Sequence, residues 1–125
     1  DTLANMVKKN IMIANAKGEL IYMNNPMYAT LEMQSDDVLN KNITDTLMPD
    51  SIVETFELAI KRRSKIENAE ITIPKRKKVI DPATGEYVFE DTEEVFHGYA
   101  NVIPIRAKES NLDYYMMIIS KEVFV

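Results

Sequence analysis

Residues 20–39, LIYMNNPMYATLEMQSDDVL, pass from strand to helix within a few positions. Leu20, Ile21, Tyr22 and Met23 form a short apolar run of strand character, and Asn24, Asn25 and Pro26 follow it. An Asn side chain can accept orphan amide hydrogens at a helix start, and Pro at the first helical position forfeits no hydrogen bond. The strand is therefore converted into a helix carrying Met27, Tyr28 and Leu31 on one side. A second start signal follows at Ser35, where Asp36 and Asp37 suit the positive end of a helix dipole.

Working outward, Leu3, Met6 and Val7 predict one or two helical turns over residues 3–8. Ile11 to Ala14 predict a buried strand, and Lys17-Gly18 turns it back into Leu20 as a hairpin. On the other side, Asn42 can cap a turn through Ile43 and Leu47 that Pro49 ends. Ser51 with Glu54 three residues on fits a capping box, and Ile52, Phe56, Ala59 and Ile60 recur at helical spacing. The basic run Lys61 to Lys65 then lies where cations favour a helix C-terminus, and reads as a solvated helix end rather than a phosphate site.

From Ala69 the period becomes two, with Ile71 and Ile73 alternating with Glu70 and Thr72. Asp81-Pro82-Ala83-Thr84-Gly85 is a strong turn signal. Pairing the arms about it sets Arg76 near Asp91 and Lys77 near Glu90, so opposite charges face across a long hairpin. The return arm continues through Phe96, Tyr99, Asn101 and Ile105, and a last strand spans Tyr114 to Ile119. The same arithmetic places Pro104 beyond the start of its partner strand, where a missing amide leaves no gap. Helices between the second and third of these strands give an α+β layer structure.

With 125 residues the chain fits one domain. A net charge of −5 argues against nucleic acid or an acidic membrane as the main partner. No Cys is present, which excludes disulfides, thiolate metal sites and Cys-based catalysis, and fits a reducing, cytoplasmic setting. No apolar run approaches the roughly 20 residues that span a bilayer. Lacking an initiator Met and ending on Val123, Phe124 and Val125, the chain reads as a piece of a larger protein.

The order of strand, Asn, short helix, polar cap and short helix over Ile21 to Leu39, followed by Leu47-Met48-Pro49-Asp50 before the longest helix, resembles the PAS family of sensory domains. The resemblance runs from about Asn10 to Glu122. It implies a five-stranded antiparallel sheet with short helices on one face, to which this chain's residues add an extended hairpin between strands 3 and 4. It also implies residues 1–9 as helical turns or linker, 10–122 as the sensory domain and 123–125 as the start of a linker to an output domain. Three departures stand out. Glu32 or Met33 replaces the usual Gly after the first helix, predicting a looser turn there. The hairpin is longer than usual, and Ser120-Lys121-Glu122-Val123 stands where an Asp-Ile-Thr often leads to an output helix.

The chemistry follows from what is present. Covalent flavin needs a Cys. The lone His97, in a strand next to Gly98, reads as a partly exposed polar residue rather than a haem ligand. Eight Met residues suit adaptable core filling. No Ser, His and Asp constellation or metal-ligand spacing is visible. The residues expected around an internal cofactor or ligand space are Met27, Tyr28, Leu31, Phe56, Ile60, Tyr99, Asn101 and Met116. Met23, Ile43, Leu47, Ile52, Ile71, Ile103 and Ile118 are expected beside them, and the cofactor itself is left unidentified. Tyr115, Met117 and Ile119 are expected on the opposite face, where a second copy would cover them as a homodimer. The expected function is a non-catalytic, ligand-sensing or dimerising module of a bacterial signalling protein. The alternative is a small α+β enzyme using one buried carboxylate as base.

Overall fold

The computed structural model describes residues 9–106 and 113–125. One antiparallel sheet holds β1 (Asn10–Asn15), β2 (Leu20–Met23), β3 (Ile66–Ile80), β4 (Tyr87–Arg106) and β5 (Asp113–Ser120). The strand order is β2-β1-β5-β4-β3, so β5 is inserted between the first and fourth strands. Between β2 and β3 lie α1 (Asn25–Leu31), α2 (Ser35–Val38), a 3-10 turn (Ile43–Asp45) and α3 (Asp50–Arg62). The helical turns expected over residues 3–8 lie outside the described residues.

Asn24 carries the strand-to-helix switch. Its Oδ1 accepts from the Met27 amide at 3.2 Å and from the Ile11 amide at 3.0 Å, while its Nδ2 donates to the Lys9 carbonyl. One buried side chain thus caps α1 and fixes it to the start of β1. Helix α1 begins at Asn25, so Pro26 is its second residue. The turn after α1 is not loosened by the missing Gly: Glu32 takes the left-handed conformation, φ 56°, and its amide donates to the Ala29 and Tyr28 carbonyls. Asn42 caps the 3-10 turn through the Thr44 amide at 3.1 Å.

Two helix starts differ from expectation. The cap of α2 is Gln34, one residue before Ser35, with its amide donating to Asp37 Oδ2 at 2.9 Å. The capping box expected at Ser51 does not form, because α3 starts at Asp50 with Pro49 as its cap. Ser51 Oγ instead donates to the Thr72 carbonyl at 2.8 Å and accepts from the Thr72 amide at 3.1 Å. A strand edge offered both a donor and an acceptor, and the hydroxyl ties the helix to β3 instead of capping it.

The long hairpin has the expected register. Arg76 faces Asp91 and Lys77 faces Glu90, and the ladder continues to Ile80 and Tyr87. A bulge between Pro74 and Arg76 then shifts the register, so that Ile73 faces Phe96 and Ile71 faces Gly98. On the β3 side the ladder ends at Ile66 opposite Val102, leaving Pro104 beyond it. The core lies between the helices and one face of the sheet, where Met12, Leu20, Met27, Ile52, Phe56, Ala59, Ala100, Val102 and Met117 are fully buried. Burial of a side chain the size of Ile52 or Phe56 contributes about 1.5–3 kcal/mol.

Candidate functional site

Facing strand residues share a side of the sheet, so the ladders decide which residues can meet. Ala100, facing Ala69 on β3 and Ile119 on β5, is buried beneath the helices with Gly98 and Val102. Tyr115, Met117 and Ile119 of β5 point the same way and are buried. Tyr99, Asn101, Ile103, Met116 and Ile118 therefore belong to the opposite, outer face. The expectation had the parity of both strands reversed.

The eight residues expected around an internal space are not brought together. Met27, Leu31 and Phe56 are buried in the core, with Tyr28 and Ile60 packed at its margin. Tyr28 also lines an open cleft of about 1070 Å³ between the helices and the hairpin base, with Gln34, Asp37, Lys75, Lys77 and Glu93. Ile60 borders a separate groove of about 670 Å³ with Asn42 and Glu57. Asn101 and Met116 lie on the outer face, and Tyr99 lines a hollow of about 270 Å³ near His97 and Lys121. Asn101, expected as a buried amide awaiting a ligand, is half-buried and accepts from the Asn68 amide at 2.8 Å. Leu47, expected inside, is 59% exposed. The walls that an internal pocket would need, Met12, Met27, Ile52, Phe56 and Met117, belong instead to one buried cluster.

Two features remain. The first is the Tyr28 hydroxyl, which is buried without a hydrogen-bond partner among the described residues. Burial, and after it the neighbouring Tyr22 phenol, push its pKa above the ordinary tyrosine value. The buried polar residues among those described are Asn24 and Thr55, neither of them the buried carboxylate that the enzyme alternative requires.

The second is the outer face itself. Ile11, Ile118 and Asn101 form one row across β1, β5 and β4; Ile13, Met116 and Ile103 form the next, with Tyr22 beside Ile13; Asn15, Tyr114 and Ile105 form a third. Most of these side chains are apolar, yet Tyr22, Ile103 and Ile105 are 47%, 42% and 39% exposed. Among the described residues these rows make a contiguous, mostly apolar surface. The sequence reading missed this row structure, although the hairpin contained its signal. Pairing Arg76 with Asp91 already sets even-numbered residues of β4 opposite Ile71 and Ile73, and the bulge preserves that parity.

A family model described as "PAS domain" matches residues 9–121. No curated protein sequence matches the chain. Among solved structures, the PAS domain from Bordetella pertussis BvgS is similar with a TM-score of 0.58 at 14% identity, over 98% of this chain and 83% of that one. A sensory box sensor histidine kinase from Vibrio cholerae is similar with a TM-score of 0.57 at 12% identity, over 99% and 89%. The structure of the E. coli DhaR(N)-DhaL complex gives 0.56 at 14% identity over 94% of this chain, which spans only 34% of the chain it matches.

Proposed function

The chain belongs to the PAS domain family, and from that premise we propose that this sensory module controls an attached output domain by pairing two copies across the outer face of its sheet. The observation that carries this reading is the apolar surface made by Ile11, Ile13, Tyr22, Ile103, Ile105, Tyr114, Met116 and Ile118. A two-fold arrangement buries the same patch on both copies. The partner in control is a kinase or similar output domain of a bacterial, cytoplasmic signalling protein, joined through the residues after β5, and the module itself carries no catalysis. Its charge of −5 disfavours nucleic acid and anionic membrane as partners, and among the described residues no helix is long and apolar enough to cross a membrane.

Sedimentation tests the pairing. The wild type is expected to sediment as a dimer at tens of micromolar, and Ile103→Lys, which sets a charge in the middle of the patch, as a folded monomer. A monomeric wild type would remove the dimer as a property of this domain.

A second reading, small-molecule sensing, is favoured by Tyr28, which lines the open cleft and whose hydroxyl has no hydrogen-bond partner among the described residues. A group offering a donor or acceptor there would satisfy it. An intact native mass of the purified protein equal to the sequence mass, with no absorbance beyond the tyrosine band, would count against a retained ligand.

A further inference from the structure

The segment that follows β5 is held by a side chain from the far end of the sheet. Asn68 Nδ2 donates to the Phe124 carbonyl at 3.0 Å, and the Phe124 amide donates to Asn68 Oδ1 at 2.7 Å. A single side-chain amide thus engages both backbone polar groups of one residue, as a neighbouring strand would. The Lys9 ammonium lies 5.3 Å from the centre of the Phe124 ring, a cation–π distance that adds a second hold on the same residue.

The backbone at Asn68 is built for this. It lies in the irregular stretch of β3 between the Ile66–Val102 and Ala69–Ala100 pairs, with φ at 50°, a left-handed conformation unfavourable for any residue but Gly and least so for Asn and Asp. Its own amide, turned out of the ladder, donates to Asn101 Oδ1 at 2.8 Å. Asn101 in turn faces Ile118 of β5. A continuous path therefore runs from β5 through Asn101 and Asn68 to Phe124. The exit also begins hard against β4, because a Cβ on Gly98 would come within 2.5 Å of the Ser120 carbonyl oxygen.

We propose that Asn68 is the positioning residue that sets the route by which the chain leaves the sheet, acting as a clamp that a shift of β4 against β3 would open. Such a shift withdraws Asn101 from the Asn68 amide, removes what holds Asn68 in its left-handed conformation and releases Phe124. The clamp's value for signalling rests on the regulatory reading above, whereas its existence does not. It supplies a connection from sheet to exit in a chain whose Ser120-Lys121-Glu122-Val123 departs from the usual closing motif.

Amide hydrogen exchange followed residue by residue tests it on the whole chain. Asn68→Gly keeps the positive φ and removes the clamp, so the Phe124 amide is expected to exchange at least about tenfold faster while the Ile71 and Ile73 amides hold their protection. Asn68→Asp keeps an acceptor for the Phe124 amide and is expected to lose less. Asn101→Ala, which leaves Asn68 in place but removes its support, is expected to speed Phe124 exchange as well. Unchanged Phe124 exchange in either Asn68→Gly or Asn101→Ala would overturn the proposal. So would an equal loss at Ile71 and Ile73, which would make Asn68 a support of the sheet alone. A monomeric wild type with a Phe124 amide that depends on Asn68 would sink the pairing and leave the clamp standing.

Discussion

Among the described residues, Tyr28 carries the one buried side-chain polar atom without a hydrogen-bond partner. Its hydroxyl is buried and unpartnered, where Asn24 and Thr55 are both hydrogen-bonded. Leaving a buried hydroxyl unsatisfied costs about 1–3 kcal/mol, so removing it relieves a penalty instead of breaking a bond. Tyr28→Phe is expected to raise the unfolding free energy from urea titration by about 1 kcal/mol or leave it unchanged. The pH dependence carries a sign as well. Because burial raises the folded-state pKa, the unfolded chain ionises first as pH passes the ordinary tyrosine value near 10, and the native state then binds the extra proton. Stability attributable to Tyr28 is therefore full below that pH and lost above it. Urea titrations near neutral pH and above about pH 10 should show a smaller decline in Tyr28→Phe than in the wild type, and equal declines would remove the argument. A bound group that donates or accepts at the hydroxyl would reverse the first sign, making Tyr28→Phe destabilising.

Among the elements, the β3–β4 hairpin is the one most dependent on its charges. Beyond the bulge it is a two-stranded ribbon, with Lys75 Nζ 3.4 Å from Glu94 and Arg76 Nε 3.4 Å from Asp91. Lys78 Nζ lies 4.8 Å from the centre of the Tyr87 ring, and Ile80, Tyr87 and Val88 at its tip are exposed. Exposed ion pairs contribute about 0–1 kcal/mol each and are screened by salt. The ribbon amides over residues 76–80 and 87–91 are expected to exchange faster in about 1 M salt than at low salt, with Ile71 and Ile73 unaffected. Equal protection under both conditions would show that the backbone ladder, not the charges, holds the ribbon. Arg76 has a further role at its base, donating from Nη1 to the Leu47 carbonyl at 2.8 Å. The pairing of the two arms of this hairpin was legible because its turn and its charges are local signals, whereas its register was fixed only by the structure. Gly85 takes φ 73° where the turn requires it, and opposite charges on the two arms draw them together.

For the molecule as a whole, the decisive property is which face of the sheet the helices cover. Met116 and Met117 are neighbours in sequence and lie on opposite sides, Met117 fully buried and Met116 half-buried on the outer face. Met117→Lys places a charge in the core and is expected to unfold the domain, since burying an unpaired charge costs far more than the few kcal/mol available to a domain of this size. Met116→Lys is expected to leave the fold intact, with a circular dichroism spectrum and melting transition close to the wild type. The reverse pattern would mean that the helices cover the other face. Local chemistry alone dictated the family of the fold, the caps at Asn24 and Asn42, the helix from Ile52 to Ile60 and the meeting of the basic and acidic arms of the hairpin, while the structure fixed their register. Each of these rests on groups a few residues apart or on complementary charges around one turn. The face of β5 was different, because Tyr114 to Ile119 is apolar at every position and a period of two carries no signal when both sides read alike. Only the packing of Ile52, Phe56 and Ala59 of α3 into one buried cluster with Ala100, Val102 and Met117 selected the inner side. Asn68 and Phe124, which lie 56 residues apart, meet only because the irregular stretch of β3 between Ile66 and Ala69 turns Asn68 towards the exit of β5. Neither contact leaves a trace in the pattern of its own segment, since each depends on where a distant segment comes to rest.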